Sequence, residues 1–159
     1  MSSIGLVGGT FDFFHFGHQK LISSCLSNCD SLEIWVLSDK IALQKDPRIS
    51  SWFDRCNLIR HSLSSEENSR VTFHELLDEF GVATSHPSAK MIFCTDDTLS
   101  TCKKINSMRE EDGLYPLSII SVPHELSENG EIISSSRIRE GEIDRDGKSW
   151  FNYQIIESD

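Results

Sequence analysis

Long apolar runs are missing from this sequence. No stretch of ~18 apolar residues occurs, so no membrane-spanning helix is expected. The opening segment, Met1 to Gly9, has neither the basic start nor the extended apolar core of a secretory leader, and a cytoplasmic location is expected. No CxxC pair exists among Cys25, Cys29, Cys56, Cys94 and Cys102, and an odd, scattered set points to neither a zinc site nor a disulfide framework. Cys25 and Cys29 share a helix face at i, i+4; they read as two small core residues rather than a redox or metal pair. Cations are scarce: 15 Lys and Arg stand against 25 Asp and Glu, for a net charge of −10. A nucleic-acid binder needs a basic face to displace counterions, so that class is excluded. GxxxxGK[ST] and GxGxxG are also lacking, which removes the P-loop and the dinucleotide fingerprint.

What remains is a chain of 159 residues, 38% hydrophobic and 25% charged. That suits one globular domain, residues 1–159, with a core of its own. Apolar runs at Ile4–Val7, Ser31–Leu37, Val71–Leu76, Met91–Cys94 and Leu117–Val122 read as strands, with Glu75–Asp78 open to a helical reading as well. Helical spacing covers about 16–29, Trp52–Leu63 and Thr98–Glu110. Gln44–Ser51, with Pro47, reads as a loop; Ser64–Ser69 as a polar turn; Gly81–Ala89 as a loop. Trp52 and Phe53, like Trp150 and Phe151, are expected to pack on the body, although a homo-oligomer using them stays open. Strands alternating with helices imply crossover connections, hence an α/β, Rossmann-like parallel five-stranded sheet with helices on both faces.

In such a sheet ligands sit at the carboxyl ends of the strands. The turn after the first strand reads Gly8-Gly9-Thr10-Phe11-Asp12, followed by His15-Phe16-Gly17-His18. The glycines let backbone N–H groups approach a phosphate. His15 and His18, three apart at a helix start, project from one side, where the helix terminus adds partial positive charge. Far along the chain, Ile133-Ser134-Ser135-Ser136-Arg137-Ile138-Arg139 offers hydroxyls, a helix cap and cations for another anion contact.

These two elements resemble the nucleotidyltransferase superfamily defined by HxGH and ISSxxxR-type signatures. With Ser38-Asp39, Lys45, Arg55, Ile105-Asn106, Arg109 and the segment Gly141 to Gly147 added, the chain looks like archaeal-type pantetheine-phosphate adenylyltransferases over nearly its whole length. It departs from them in carrying Ser136 where they have threonine. The resemblance implies transfer of AMP from ATP to 4′-phosphopantetheine, giving dephospho-coenzyme A and pyrophosphate. It makes His18 and Lys45 catalytic: His18 donates to the α-phosphoryl oxygen, and Lys45, on a mobile loop, orients the acceptor phosphate with Thr10. Gly8, Gly9, Thr10, Phe11, His15, His18, Arg109 and the start Ser134, Ser135, Ser136 and Arg137 would bind ATP. Arg109 would also serve the acceptor. Mg²⁺ is expected with ATP and no protein ligands to a metal. Lys45 as a solvated lysine, and Arg55 as the ion-paired anchor of its helix, compete with the phosphate roles.

Two other functions fit the same residues. One is an adenylyl- or cytidylyltransferase for FMN, nicotinamide mononucleotide, glycerol phosphate or choline phosphate, although the Arg-Thr-x-Gly-Ile-Ser-Thr-Ser element of such cytidylyltransferases is missing. The other is a non-catalytic nucleotide-binding module.

Overall fold

A computed structural model describes residues 3–12 and 16–122. In chain order they form β1 (Ile4–Gly9), α1 (Phe16–Asn28), β2 (Ser31–Leu37), α2 (Asp39–Lys45), α3 (Trp52–Ser62), α4 (Ser65–Ser69), β3 (Val71–Leu76), β4 (Met91–Cys94), α5 (Leu99–Glu111) and β5 (Ser118–Ser121). All five strands are parallel, in the order β3-β2-β1-β4-β5. No helix among these residues is long and apolar enough to cross a membrane.

The period-2 pattern of β2 sorts the two faces. Leu32, Ile34 and Val36 are buried with Val7, Phe93 and the apolar sides of α1 and α3, including Ile22, Cys25, Leu26, Cys56 and Ile59. Each such aliphatic side chain contributes about 2 kcal/mol of burial. Leu6, Ile92 and Cys94 face the other way and pack under α5 through Cys102 and Ile105. Helices therefore cover both faces, as expected. Gly5 permits the tight approach on the first side: a Cβ there would stand 2.6 Å from Phe93 Cε2.

Several local expectations are corrected. The segment expected as a loop from Gln44 starts later, because Ser38 caps a seven-residue helix, accepting from Ile41 N at 3.4 Å, and that helix runs through Lys45. Ser64–Ser69 is not a turn: Ser64 and Glu67 make a reciprocal capping box that starts the short helix α4. The strand reading of 71–76 prevails over the helical one. Trp52 is half-buried against the core, with Nε1 donating to Val36 O at 3.0 Å, but Phe53 is exposed. The expected Glu128–Gly130 turn, the Ser134–Arg139 helix start and the Gly141–Gly147 segment lie outside the described residues.

Candidate active site

The strand order reverses at β1: β2 and β3 lie on one side of it, β4 and β5 on the other. A reversal of this kind opens a crevice at the carboxyl ends of the strands. A cavity of about 290 Å³ lies there, reached by Gly8, Gly9 and Thr10 of β1 and its turn, Trp35 and Leu37 of β2, Leu76 of β3, and Thr98, Thr101 and Cys102 around α5. The connection from β3 to β4 closes it with Glu79, Phe80, Gly81, Val82 and Ala83. Lys45 lines it too, and no other Lys, Arg or His does among the described residues.

Lys45 is the last residue of α2, not part of a loop. Its ammonium donates to Thr10 Oγ1 at 3.2 Å, so the two residues expected to share an acceptor phosphate meet in the lining of the cavity. Arg55 holds both of their supports. It is fully buried, with Nη1 donating to Thr10 O at 2.9 Å and Leu37 O at 2.8 Å, and Nε donating to Ser50 O at 2.8 Å. Its Nη2 pairs with Asp39 Oδ1 at 2.9 Å, in the first turn of α2. The anchoring role weighed for Arg55 is the one the structure gives it. Asp12, also buried, accepts from Ser50 N at 3.2 Å and ties the far end of the turn to the same loop.

Between Thr10 and Asp12 the chain bends at Phe11, whose φ of +55° is the one positive value at a non-glycine among the described residues. Left-handed backbone at a bulky residue costs on the order of 1–3 kcal/mol and persists where surrounding contacts impose it. Here the Phe11 side chain is buried, and its ring lies 5.3 Å from the His18 ring, tilted by 57°. The kink thus brings a core aromatic beneath His18, half-buried in the first turn of α1. His15 falls outside the described residues, as do Ser134, Ser135, Ser136 and Arg137.

Arg109 is a correction. Expected as a phosphate cation, it is 4% exposed on α5, and its guanidinium is taken up by main-chain carbonyls: Nε donates to Tyr115 O at 2.8 Å, and Nη1 to Ala83 O at 2.9 Å and His86 O at 3.0 Å. It stands behind the cavity wall, not at its surface.

Residues that sequence reasoning missed are those of the wall and floor, Trp35, Leu76, Phe80 and Val82. Trp35 was legible in principle, because strict alternation along β2 puts Glu33, Trp35 and Leu37 on the face opposite the buried trio. The loop residues carry no such periodic signal.

The five cysteines are free and buried. Burial pushes every thiol upward, Cys56 to about 11 and Cys102 to about 12. Such groups are core fillers and not nucleophiles at neutral pH.

Residues 6–141 match the Cytidylyltransferase-like family. A phosphopantetheine adenylyltransferase of Methanopyrus kandleri is 33% identical over 141 residues, covering 87% of this chain and 89% of its own. One of Methanosarcina mazei is 34% identical over 147 residues, covering 89% and 94%. Among solved structures, the Plasmodium falciparum nicotinic acid mononucleotide adenylyltransferase in complex with APC superposes with a TM-score of 0.60 over 92% of this chain and 86% of its own, at 13% identity.

Proposed function

This chain belongs to the cytidylyltransferase-like family, among the phosphopantetheine adenylyltransferases, and we propose from that premise that it transfers AMP from ATP to 4′-phosphopantetheine, yielding dephospho-coenzyme A and pyrophosphate. The observation that carries the reading is the form of the cavity. Among the described residues Lys45 is the one cation in its lining, its ammonium on the Thr10 hydroxyl, and apart from Glu79 most of the remaining lining is apolar. That suits an acceptor with a phosphate at one end and a long uncharged arm. A mononucleotide acceptor would bring a ribose and a charged or polar base into the same slot.

The reaction needs little covalent help from the protein. A phosphate monoester has its second pKa near ~6, so the acceptor is largely a dianion at neutral pH and needs no general base. One of its oxygens attacks the α-phosphorus of ATP in line. The bond from that phosphorus to the bridging oxygen breaks, and pyrophosphate leaves with the electron pair. What the chain supplies is alignment and charge compensation. In this scheme Lys45 exchanges its contact with Thr10 Oγ1 for the acceptor phosphate and holds it at the end of β1. His18, braced by Phe11, donates to the α-phosphoryl oxygen as charge builds there. Gly8 and Gly9 allow the polyphosphate close to the main chain, and His15 with Ser134 to Arg137 would take the β- and γ-phosphates. Mg²⁺ would enter with ATP as part of the substrate and would add charge compensation on its phosphates.

A coupled pyrophosphate-release assay tests this. ATP with 4′-phosphopantetheine should give turnover, and CTP, FMN, nicotinamide mononucleotide and glycerol phosphate should not support it. Faster release with a mononucleotide acceptor, or none with any acceptor, would overturn the reading.

A further inference from the structure

The connection from β3 to β4, residues 77–90, is unusual for a parallel crossover because it contains no helix. It nevertheless forms one wall of the cavity, through Glu79 to Ala83. Its internal contacts are few. Asp78 Oδ1 accepts from Phe80 N at 3.0 Å and Gly81 N at 2.6 Å, and two turns follow, Ala83 N to Phe80 O and Ser85 N to Val82 O. The His86 ring adds two more bonds within the segment, Ala83, Ala89 and Phe80 pack with the core under α5, and Thr101 Oγ1 of α5 donates to Glu79 Oε1 at 3.2 Å.

From one side comes Arg109, whose Nη1 grips the carbonyls of Ala83 and His86. From the other comes β2, by way of the His86 ring. Its Nδ1 accepts from Ser88 N at 3.2 Å and Ala89 N at 3.0 Å. A nitrogen that accepts twice carries no proton, so the proton sits on Nε2, which donates to Glu33 Oε2 at 3.0 Å. The other oxygen of Glu33 accepts from Trp35 Nε1 at 3.1 Å. Trp35 is a floor residue of the cavity. One carboxylate therefore fixes the floor with one oxygen and the wall with the other.

We propose that Glu33, His86 and Arg109 are positioning residues for the acceptor: together they brace the 77–90 wall against the Trp35 floor and so set the width of the slot that takes the acceptor's arm. This rests on the adenylyltransferase reading for the identity of the acceptor, but not for the brace itself. None of the three lines the cavity, so each acts through the residues it holds.

The test uses Glu33→Gln and Arg109→Lys in the full chain. Glutamine keeps the shape of glutamate but offers one acceptor oxygen to two N–H donors, so either Trp35 or His86 faces an NH₂ group. Lysine keeps the charge of Arg109 but loses the fork that reaches three carbonyls. For both variants the KM for 4′-phosphopantetheine should rise about tenfold, the usual effect of one lost hydrogen bond to a charged group, while kcat and the KM for ATP stay within about twofold. Amide hydrogen exchange of residues 80–89 should accelerate about tenfold in the same variants, with β1 and α1 unchanged. The proposal is overturned by unchanged loop exchange, by faster exchange with an unaltered acceptor KM, or by parallel loss for both substrates. The exchange measurement needs no substrate. A wild-type chain inactive towards phosphopantetheine would thus sink the assigned reaction while the brace is still judged on its own readout.

Discussion

A Cβ built on Gly5 would stand 2.6 Å from Phe93 Cε2 and 3.1 Å from Cys29 Sγ, whereas one on Gly8 would meet Leu76 Cδ2 and Trp35 O at 3.6 Å, an ordinary contact. The fold requires the first glycine and tolerates a methyl at the second, which lines the cavity. Gly5→Ala should therefore cost about 1–3 kcal/mol through overpacking, read as a lowered urea midpoint. Gly8→Ala should fold within about 1 kcal/mol of the parent and still raise the KM for substrate, because its methyl occupies space in the cavity lining. His18 permits a sharper experiment. If it stabilises charge only in the transition state, His18→Ala should lower kcat by about 10²–10³ and leave the KM for ATP within about threefold. Equal losses in both would make it a packing partner of Phe11 and nothing more. The HxGH spacing marks His18 in the sequence, but nothing there marks the left-handed Phe11 packed against it, since bulky residues seldom adopt that backbone.

Elements differ in how openly the sequence announces them. Strands and the three longer helices are legible to within one or two residues, because burial sets the apolar pattern of elements four to thirteen residues long. The helix Asp39–Lys45 is not, as it has a single buried residue, Ala42, and polar neighbours on either side. A loop over 44–51 would carry Lys45 with it, whereas the structure seats Lys45 at the end of a capped helix, in the lining of the cavity. The capping box of α4 was written in Ser64-Ser65-Glu66-Glu67 and could have been read. Arg109 offered no such sign, because its partners are carbonyl oxygens, which every residue possesses. Arg55 shows what such bonding is worth. Arg55→Met would leave the carbonyls of Thr10, Leu37 and Ser50 without their donor, at about 1 kcal/mol or more each, so a loss of about 3–4 kcal/mol is expected. A urea unfolding curve measures it. Because Thr10 and α2 are released together, the surviving folded protein should also show a raised acceptor KM.

For the molecule as a whole, parallel β with crossing helices was readable from alternation alone, but not the strand order, which depends on which side of β1 each crossover lands. The thiols give a global test. Burial holds Cys56 near 11 and Cys102 near 12, above the ordinary 9.0, and raises the other three as well. Above pH 9 the unfolded chain loses thiol protons that the folded chain retains. Stability is therefore complete below about pH 9 and declines as pH rises towards 12. Unfolding midpoints at pH 8, 9.5 and 10.5 should fall in that order, and a chromogenic disulfide reagent at pH 8 should find the thiols only after denaturant is added. The helix-free crossover between β3 and β4 has a consequence on another timescale. In the proposed scheme the residues that act on phosphate stand on β1, α1 and α2, while the adjoining wall is a short irregular segment. If the proposed slot holds the acceptor, substrate choice becomes modular: a graft of residues 77–90 from a homologue should admit a differently shaped acceptor without redrafting the machinery that moves the adenylyl group.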